Sequence, residues 1–243
     1  DGYWFCFEHH SKLAERDLNT YIRKSNTLIT EAKKYLQEAD TLFVTFGSAW
    51  GYTLDEKVVA NCHQQDGKLF SKQLLSLTDL VDRYAELWEQ LKKINNDLKI
   101  VFTVSPVRHY KDGLVENQQS KSLLNVLCHS LTKKLSDSSY FPSYEYVIDF
   151  LRDYSCFKKD KVHPNDTSVT KLYDFFVDQF FDSISKEVIT KWQKLNVSLK
   201  HKSLRPYSPS NLKFKENLKS QLEDFATQYK LPYDDEIKGI DIY

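Results

Sequence analysis

Two short apolar runs, each joined to amphipathic helical patterns, most constrain the fold of this chain. The runs are Thr41–Phe46 and Lys99–Val104, and neither shows the clean alternation of a strand with one face in water. Buried strands joined by helices are typical of a parallel sheet with helices on both faces. We therefore expect a three-layer α/β fold with a mostly parallel sheet and right-handed crossovers.

Apolar residues spaced three and four apart predict the helices that flank this sheet. A third strand is predicted near residues 144–148. In such folds the functional site lies at the carboxyl ends of the strands. The predicted helices cover residues 18–36, a stretch from an N-cap at Thr78 to Ile94, residues 123–135 and residues 167–185.

The helix–strand pattern changes after about Lys191. His201–Pro209 is polar and contains two prolines, as a linker does, and one more amphipathic helix is predicted over Leu212–Tyr229, followed by a polar tail. We expect one domain over residues 1–190 and a helical C-terminal extension over residues 191–243.

Composition excludes several classes of partner. Lys and Arg number 34, as do Asp and Glu, so no net charge favours nucleic acid. No apolar stretch has the length of a membrane span. The four cysteines form no C-x-x-C pair, which favours free thiols and a cytoplasmic location. Nothing in the sequence indicates the oligomeric state.

One local motif indicates catalysis. Asp160 precedes His163 by three residues in a predicted loop that opens a helix. At this spacing the carboxylate can orient the imidazole, which leaves the other ring nitrogen free to take a proton from an attacking hydroxyl. We predict that His163 is a general base and Asp160 its orienting carboxylate.

Longer blocks place this motif in a family context. The blocks are "TFGSAW" (45–50), "VVANCH" (58–63), "FTVSPVRHYKDGLVENQQSK" (102–121), "YFPSYE" (140–145) and "LRDY" (151–154). In this order they resemble the GSCFA family, over roughly residues 1–190. That resemblance implies a bacterial protein with an SGNH-like (GDSL-like) hydrolase fold.

The resemblance also raises the question of the nucleophile. The Gly-Ser-Cys-Phe-Ala motif that names the family, and whose Ser would attack the substrate, does not occur in this sequence. We therefore expect the family's N-terminal block to be absent from this chain and the nucleophile to precede Asp1. Ser48 is the best-placed serine within the chain, although the resemblance does not make it a nucleophile.

The other family blocks supply candidate oxyanion and substrate-binding residues. Gly47 and Ser48 follow the first strand, where SGNH hydrolases stabilise an oxyanion, and Asn61 is a candidate side-chain donor or an ordinary loop residue. Arg108 would bind a carboxylate or sulfate on the substrate, or else pair with Glu116 or Asp112. The remaining candidates for the same cleft are the histidines His9, His10, His63 and His109.

Two alternatives to a serine hydrolase are a metal-dependent site and a non-catalytic binding module. The clustered histidines and Asp160 could bind a metal, but none has the close two-His spacing of known zinc motifs, so we expect neither metal nor cofactor. We predict a serine esterase or acyl hydrolase acting on a small-molecule or glycan ester. The alternative is a non-catalytic module that binds a glycan or a partner through the same cleft.

Overall fold

The structure is a computed structural model and describes residues 2–201, 203–205 and 207–233. Contacts divide the chain into two compact units, one up to Leu172 and one from Tyr173. The predicted domain boundary at residue 190 lies inside a helix of the second unit. In the described part of the chain, no helix is long and apolar enough to cross a bilayer.

A three-stranded parallel sheet forms the centre of the first unit. Its strands are β1 (Thr41–Phe46), β5 (Lys99–Val104) and β6 (Ser138–Phe141), in the order β1-β5-β6. The first two strands were predicted with these bounds, and the parallel α/β class is confirmed. The central strand β5 is buried from its second residue to its last, because helices cover both of its faces.

Three long helices pack in this unit, and the first is confirmed almost as predicted. They are α1 (Leu18–Glu38), α2 (Leu77–Ile94) and α3 (Leu114–Lys134). The N-cap of α2 is Ser76 rather than Thr78, because the Ser76 hydroxyl accepts the Asp79 N–H. The centre of the core is fully buried and joins β5 to α3 through Phe102, Leu127 and Leu131.

The third predicted strand is wrong. Residues 143–145 form the short helix α4 (Ser143–Glu145), which continues as a π-helical turn over Tyr146–Phe150. The buried side chains there, Tyr144 and Val147, are three residues apart, which is helical spacing. The true strand β6 ends just before Pro142, whose missing N–H cannot extend a ladder.

A second, antiparallel sheet was not predicted. It consists of β2 (Trp50–Leu54), β3 (Lys57–Val59) and β4 (Ser71–Leu74), in the order β3-β2-β4. Asp55 and Glu56 join β2 to β3 with φ of 47° and 65°, the left-handed pair that a tight hairpin needs. Asp-Glu lacks the glycine that usually marks such a turn in a sequence.

Three more helices follow along the chain: α5 (Asp166–Phe180), α6 (Ser183–Leu199) and α7 (Pro209–Tyr229). The predicted helix over 167–185 is in fact two helices, because Asp182 caps a new one by accepting the Ser185 N–H at 2.7 Å. The last helix is confirmed, starting three residues earlier than predicted.

The second unit has its own core, in which Leu195 of α6 packs with Leu218, Leu222 and Phe225 of α7. Lys202 and Pro206 of the predicted linker, and residues 234–243 of the predicted tail, lie outside the described residues. All four cysteines are free. The cytoplasmic location inferred from them stays a prediction.

Candidate functional site

A cleft of about 580 Å³ opens at the carboxyl ends of β1 and β5. Three loops meet there: the loop after β1, residues 107–112 after β5, and residues 160–163. The small sheet supplies a further wall through side chains of β2 and β4. The sequence-predicted residues that line this cleft are Ser48, Arg108, His109, Asp160 and His163, and the wall residues are Trp50, Tyr52 and Lys72.

Asp160 and His163 form a hydrogen-bonded pair at the mouth of the cleft. Asp160 Oδ2 lies 2.7 Å from His163 Nδ1, and Oδ1 accepts the backbone N–H groups of Val162 and His163 at 2.9 and 3.0 Å. The His163 side chain first, and then these backbone donors, lower the pKa of Asp160 to about 2. An ionised Asp160 requires Nδ1 to donate, which leaves Nε2 of His163 as a proton acceptor.

The chain around this pair is a small closed loop. Phe157 and Pro164 form a β-bridge at its neck, and the Lys158 N–H donates to the His163 carbonyl at 2.8 Å. Lys161 at the tip has a φ of 57°, which turns the backbone back toward the neck. The loop therefore holds His163 through backbone hydrogen bonds as well as through Asp160.

Ser168 anchors this loop to the start of α5. Its side chain is fully buried, and its hydroxyl donates to the Cys156 carbonyl at 2.6 Å.

We expect Ser168→Ala to lower the free energy of unfolding by about 1–2 kcal/mol, because a buried hydrogen bond is lost with little change in volume. Urea denaturation followed by circular dichroism measures this. An unchanged midpoint would show that the bond contributes nothing.

The loop after β1 presents Ser48. Its Oγ accepts the Trp50 N–H at 3.1 Å and lies 3.4 Å from Ser120 Oγ, which in turn accepts the Ala49 N–H at 2.7 Å. The amides of Ala49 and Trp50 are therefore occupied. Within the described residues the Ser48 N–H forms no backbone hydrogen bond.

A buried lysine that sequence reasoning missed ties two of the loops together. Lys121 is 1% exposed, and its Nζ donates to the carbonyls of Gly47 and Ser105, each at 2.7 Å. These carbonyls follow β1 and β5. Desolvation lowers the pKa of Lys121 to about 8. The available signal was its position in α3, on the buried stripe that contains Asn117 and Leu124.

Arg108 and His109 belong to the loop after β5, and both line the cleft. The Arg108 N–H donates to the Val162 carbonyl at 3.2 Å, which joins residues 107–112 to the His163 loop. Among the described residues Arg108 forms an ion pair with neither Glu116 nor Asp112, and Asp112 pairs with Lys72 instead. Burial, then the nearby Lys121 ammonium, lowers the pKa of His109 and favours its neutral imidazole.

The structure does not bring every candidate to the cleft. Asn61 donates to Ser11 Oγ and accepts the His63 N–H, and His63 Nε2 contacts the Cys6 carbonyl at 2.8 Å. His9 contacts the Tyr21 hydroxyl, and His10 accepts the Lys12 N–H. In the described part of the chain, no three His, Cys, Asp or Glu side chains are grouped so as to hold a metal ion.

Comparison with known proteins gives one match. Residues 1–176 match the GSCFA family. The match begins at residue 1, so the prediction that the family's N-terminal block is absent from this chain conflicts with it and is corrected. No curated protein and no solved structure matches the chain significantly.

Proposed function

Because this chain belongs to the GSCFA family, we propose that it is a serine ester hydrolase of the SGNH type that removes acyl groups from a small molecule or a glycan. The observation that carries this proposal is the Asp160–His163 pair, which faces a cleft at the carboxyl ends of parallel strands.

In the proposed reaction, His163 Nε2 takes the proton of a serine hydroxyl as the serine oxygen forms a bond to the ester carbonyl carbon. The imidazolium then gives that proton to the leaving alkoxide as the ester C–O bond breaks. Water hydrolyses the acyl-enzyme by the same two proton transfers and restores the serine. Asp160 stabilises the imidazolium throughout.

Ser48 is the proposed nucleophile, since it is the serine whose side chain lines the cleft in the described part of the chain. In the resting structure its Oγ is hydrogen-bonded to the Trp50 N–H. Attack requires Ser48 Oγ to exchange that contact for one with Nε2 of His163. The Ser48 N–H would then stabilise the oxyanion of the tetrahedral intermediate.

The alternative function is a binding module that uses this cleft without turnover. It is favoured by one observation: no hydrogen bond joins Ser48 to His163 among the contacts of the described residues. A module of this kind would bind a glycan or a partner and leave the ester groups of that ligand intact.

A fluorophosphonate probe separates the two functions, because it labels only a serine that a base activates. We expect hydrolysis of para-nitrophenyl acetate, labelling of wild-type protein at Ser48, and loss of both in Ser48→Ala. Turnover should survive exhaustive chelation, because the mechanism uses no ion. The control is Ser122→Ala, which changes an exposed serine of α3. Absence of label and turnover would support the binding module, and label at another serine would overturn the role of Ser48.

A further inference from the structure

Arg108 is held at the cleft by three contacts, and no described carboxylate forms an ion pair with it. Its guanidinium carbon lies 4.1 Å from the centre of the Phe157 ring, and Nη1 donates to the Tyr110 hydroxyl at 2.9 Å and to the Lys161 carbonyl at 3.4 Å. Among the described residues no acidic side chain forms an ion pair with it. An arginine fixed on three sides has already lost much of its side-chain entropy before any ligand arrives.

The unused part of this guanidinium has a specific shape. Both contacts to protein oxygens use Nη1, so the N–H groups of Nε and Nη2 have no acceptor in the part of the chain that the structure describes. Nε–H and one Nη2–H point in parallel from the same edge of the fork. Two parallel donors of this kind match the two oxygens of a carboxylate.

The charges around Arg108 leave it available. Asp112 is neutralised by Lys72, and Asp160 is occupied by His163 and two backbone amides. Lys111 also lines the cleft and forms no ion pair with a described residue. The cleft therefore has an excess of positive charge, and its two carboxylates both have partners.

We propose that the natural substrate of this cleft carries a carboxylate besides its ester group, and that Arg108 binds this carboxylate through Nε and Nη2. This assignment rests on the proposed ester hydrolase. Arg108 directly precedes His109, and its backbone N–H donates to the carbonyl of Val162, the residue before His163. The carboxylate would thus orient the ester relative to the general base.

A matched pair of substrates tests the proposal. The first is the para-nitrophenyl monoester of glutarate, and the second is the same compound with its free carboxylate capped as a methyl ester. We expect wild-type protein to favour the first by about tenfold or more in kcat/KM. Arg108→Gln should remove this preference, and Arg108→Lys should keep only part of it because a lysine lacks the fork.

The control is Lys158→Gln, which removes one positive charge from an exposed side chain that does not line the cleft, although its residue is in the loop that carries His163. It should change the preference by less than about twofold, because it acts only through screened, long-range electrostatics. A loss equal to that of Arg108→Gln would show that general charge, and not the fork, selects the substrate, and would overturn the proposal.

Binding of glutarate itself separates this inference from the proposed function. Calorimetry should show glutarate binding to wild-type protein about tenfold more tightly than to Arg108→Gln. Such binding without hydrolysis of either ester would refute the hydrolase and keep the carboxylate site. Hydrolysis with the same substrate preference in wild type and Arg108→Gln would keep the hydrolase and refute the site. Thermal melting of each variant checks that it is folded.

Discussion

Replacing His163 with alanine is expected to lower kcat/KM for para-nitrophenyl acetate by at least about a thousandfold, because the serine then has no proton acceptor. The side chain is 56% exposed, so its removal leaves the core intact and the melting temperature nearly unchanged. Initial rates at saturating and subsaturating substrate measure the effect. The matched control is His129→Ala, which changes an exposed histidine of α3 and should retain full activity.

Asp160→Asn refines this prediction. An asparagine can present its amide N–H to Nδ1 and stabilise the wrong tautomer, so we expect a loss of similar order with substrate binding retained.

Since the folded-state pKa of Asp160 is depressed to about 2, the carboxylate stays ionised in mildly acidic solution. Its contribution to stability is complete above the ordinary pKa of 3.8 and is lost as the pH falls through about 2. Full activity in both variants would refute the assignment of the base.

Lys121→Met is expected to lower the free energy of unfolding by about 2–4 kcal/mol, because the carbonyls of Gly47 and Ser105 lose a buried donor. Esterase activity should fall as well, since the loops that carry Ser48 and Arg108 lose their common anchor. Chemical denaturation and ester hydrolysis measure the two effects. Lys134→Met, at the exposed end of the same helix, should cost less than about 0.5 kcal/mol.

The pH dependence of stability gives a second test of Lys121. Its folded-state pKa of about 8 lies below the ordinary 10.5, so between these values the unfolded chain holds a proton that the folded chain has lost. The free energy of unfolding of the wild type should therefore rise with pH across this window. This rise should be absent from Lys121→Met. Equal stability and an equal pH profile in the two proteins would show that the buried ammonium contributes nothing.

Local patterns account for the part of the fold that could be predicted. β1 and β5 are apolar runs with clear ends, so their bounds follow from the sequence. Residues 144–148 misled the prediction because a short apolar run fits a strand and a buried helical turn equally well. The small sheet was missed because β3 has three residues and the hairpin turn is an atypical Asp-Glu pair.

The residues of the candidate site also differ in how far the sequence could predict them. The Asp160–His163 pair lies within four residues, so its local spacing, together with the family blocks around it, was enough to predict the pair. The contacts of Lys121 span 74 and 16 residues of sequence, and only the folded sheet brings those carbonyls together. For Arg108 the sequence left two alternatives, binding of a substrate anion or an ion pair with a nearby acidic residue. The sequence could not decide between them, because the ion pair of Lys72 with Asp112 joins residues that are 40 positions apart.

The small sheet has a consequence for how this cleft could diverge among relatives. The small sheet is formed by the segment between β1 and α2, which contains β2, β3 and β4. The two ends of this segment are joined by a hydrogen bond from the Leu75 N–H to the Ala49 carbonyl at 2.9 Å. Its strands pair with one another, while β1 pairs with β5. Substitutions at Tyr52 of β2 or Lys72 of β4 could thus reshape this wall of the cleft without shifting the register of β1 against β5. The shape of the cleft wall and the position of Ser48 could be altered by separate mutations.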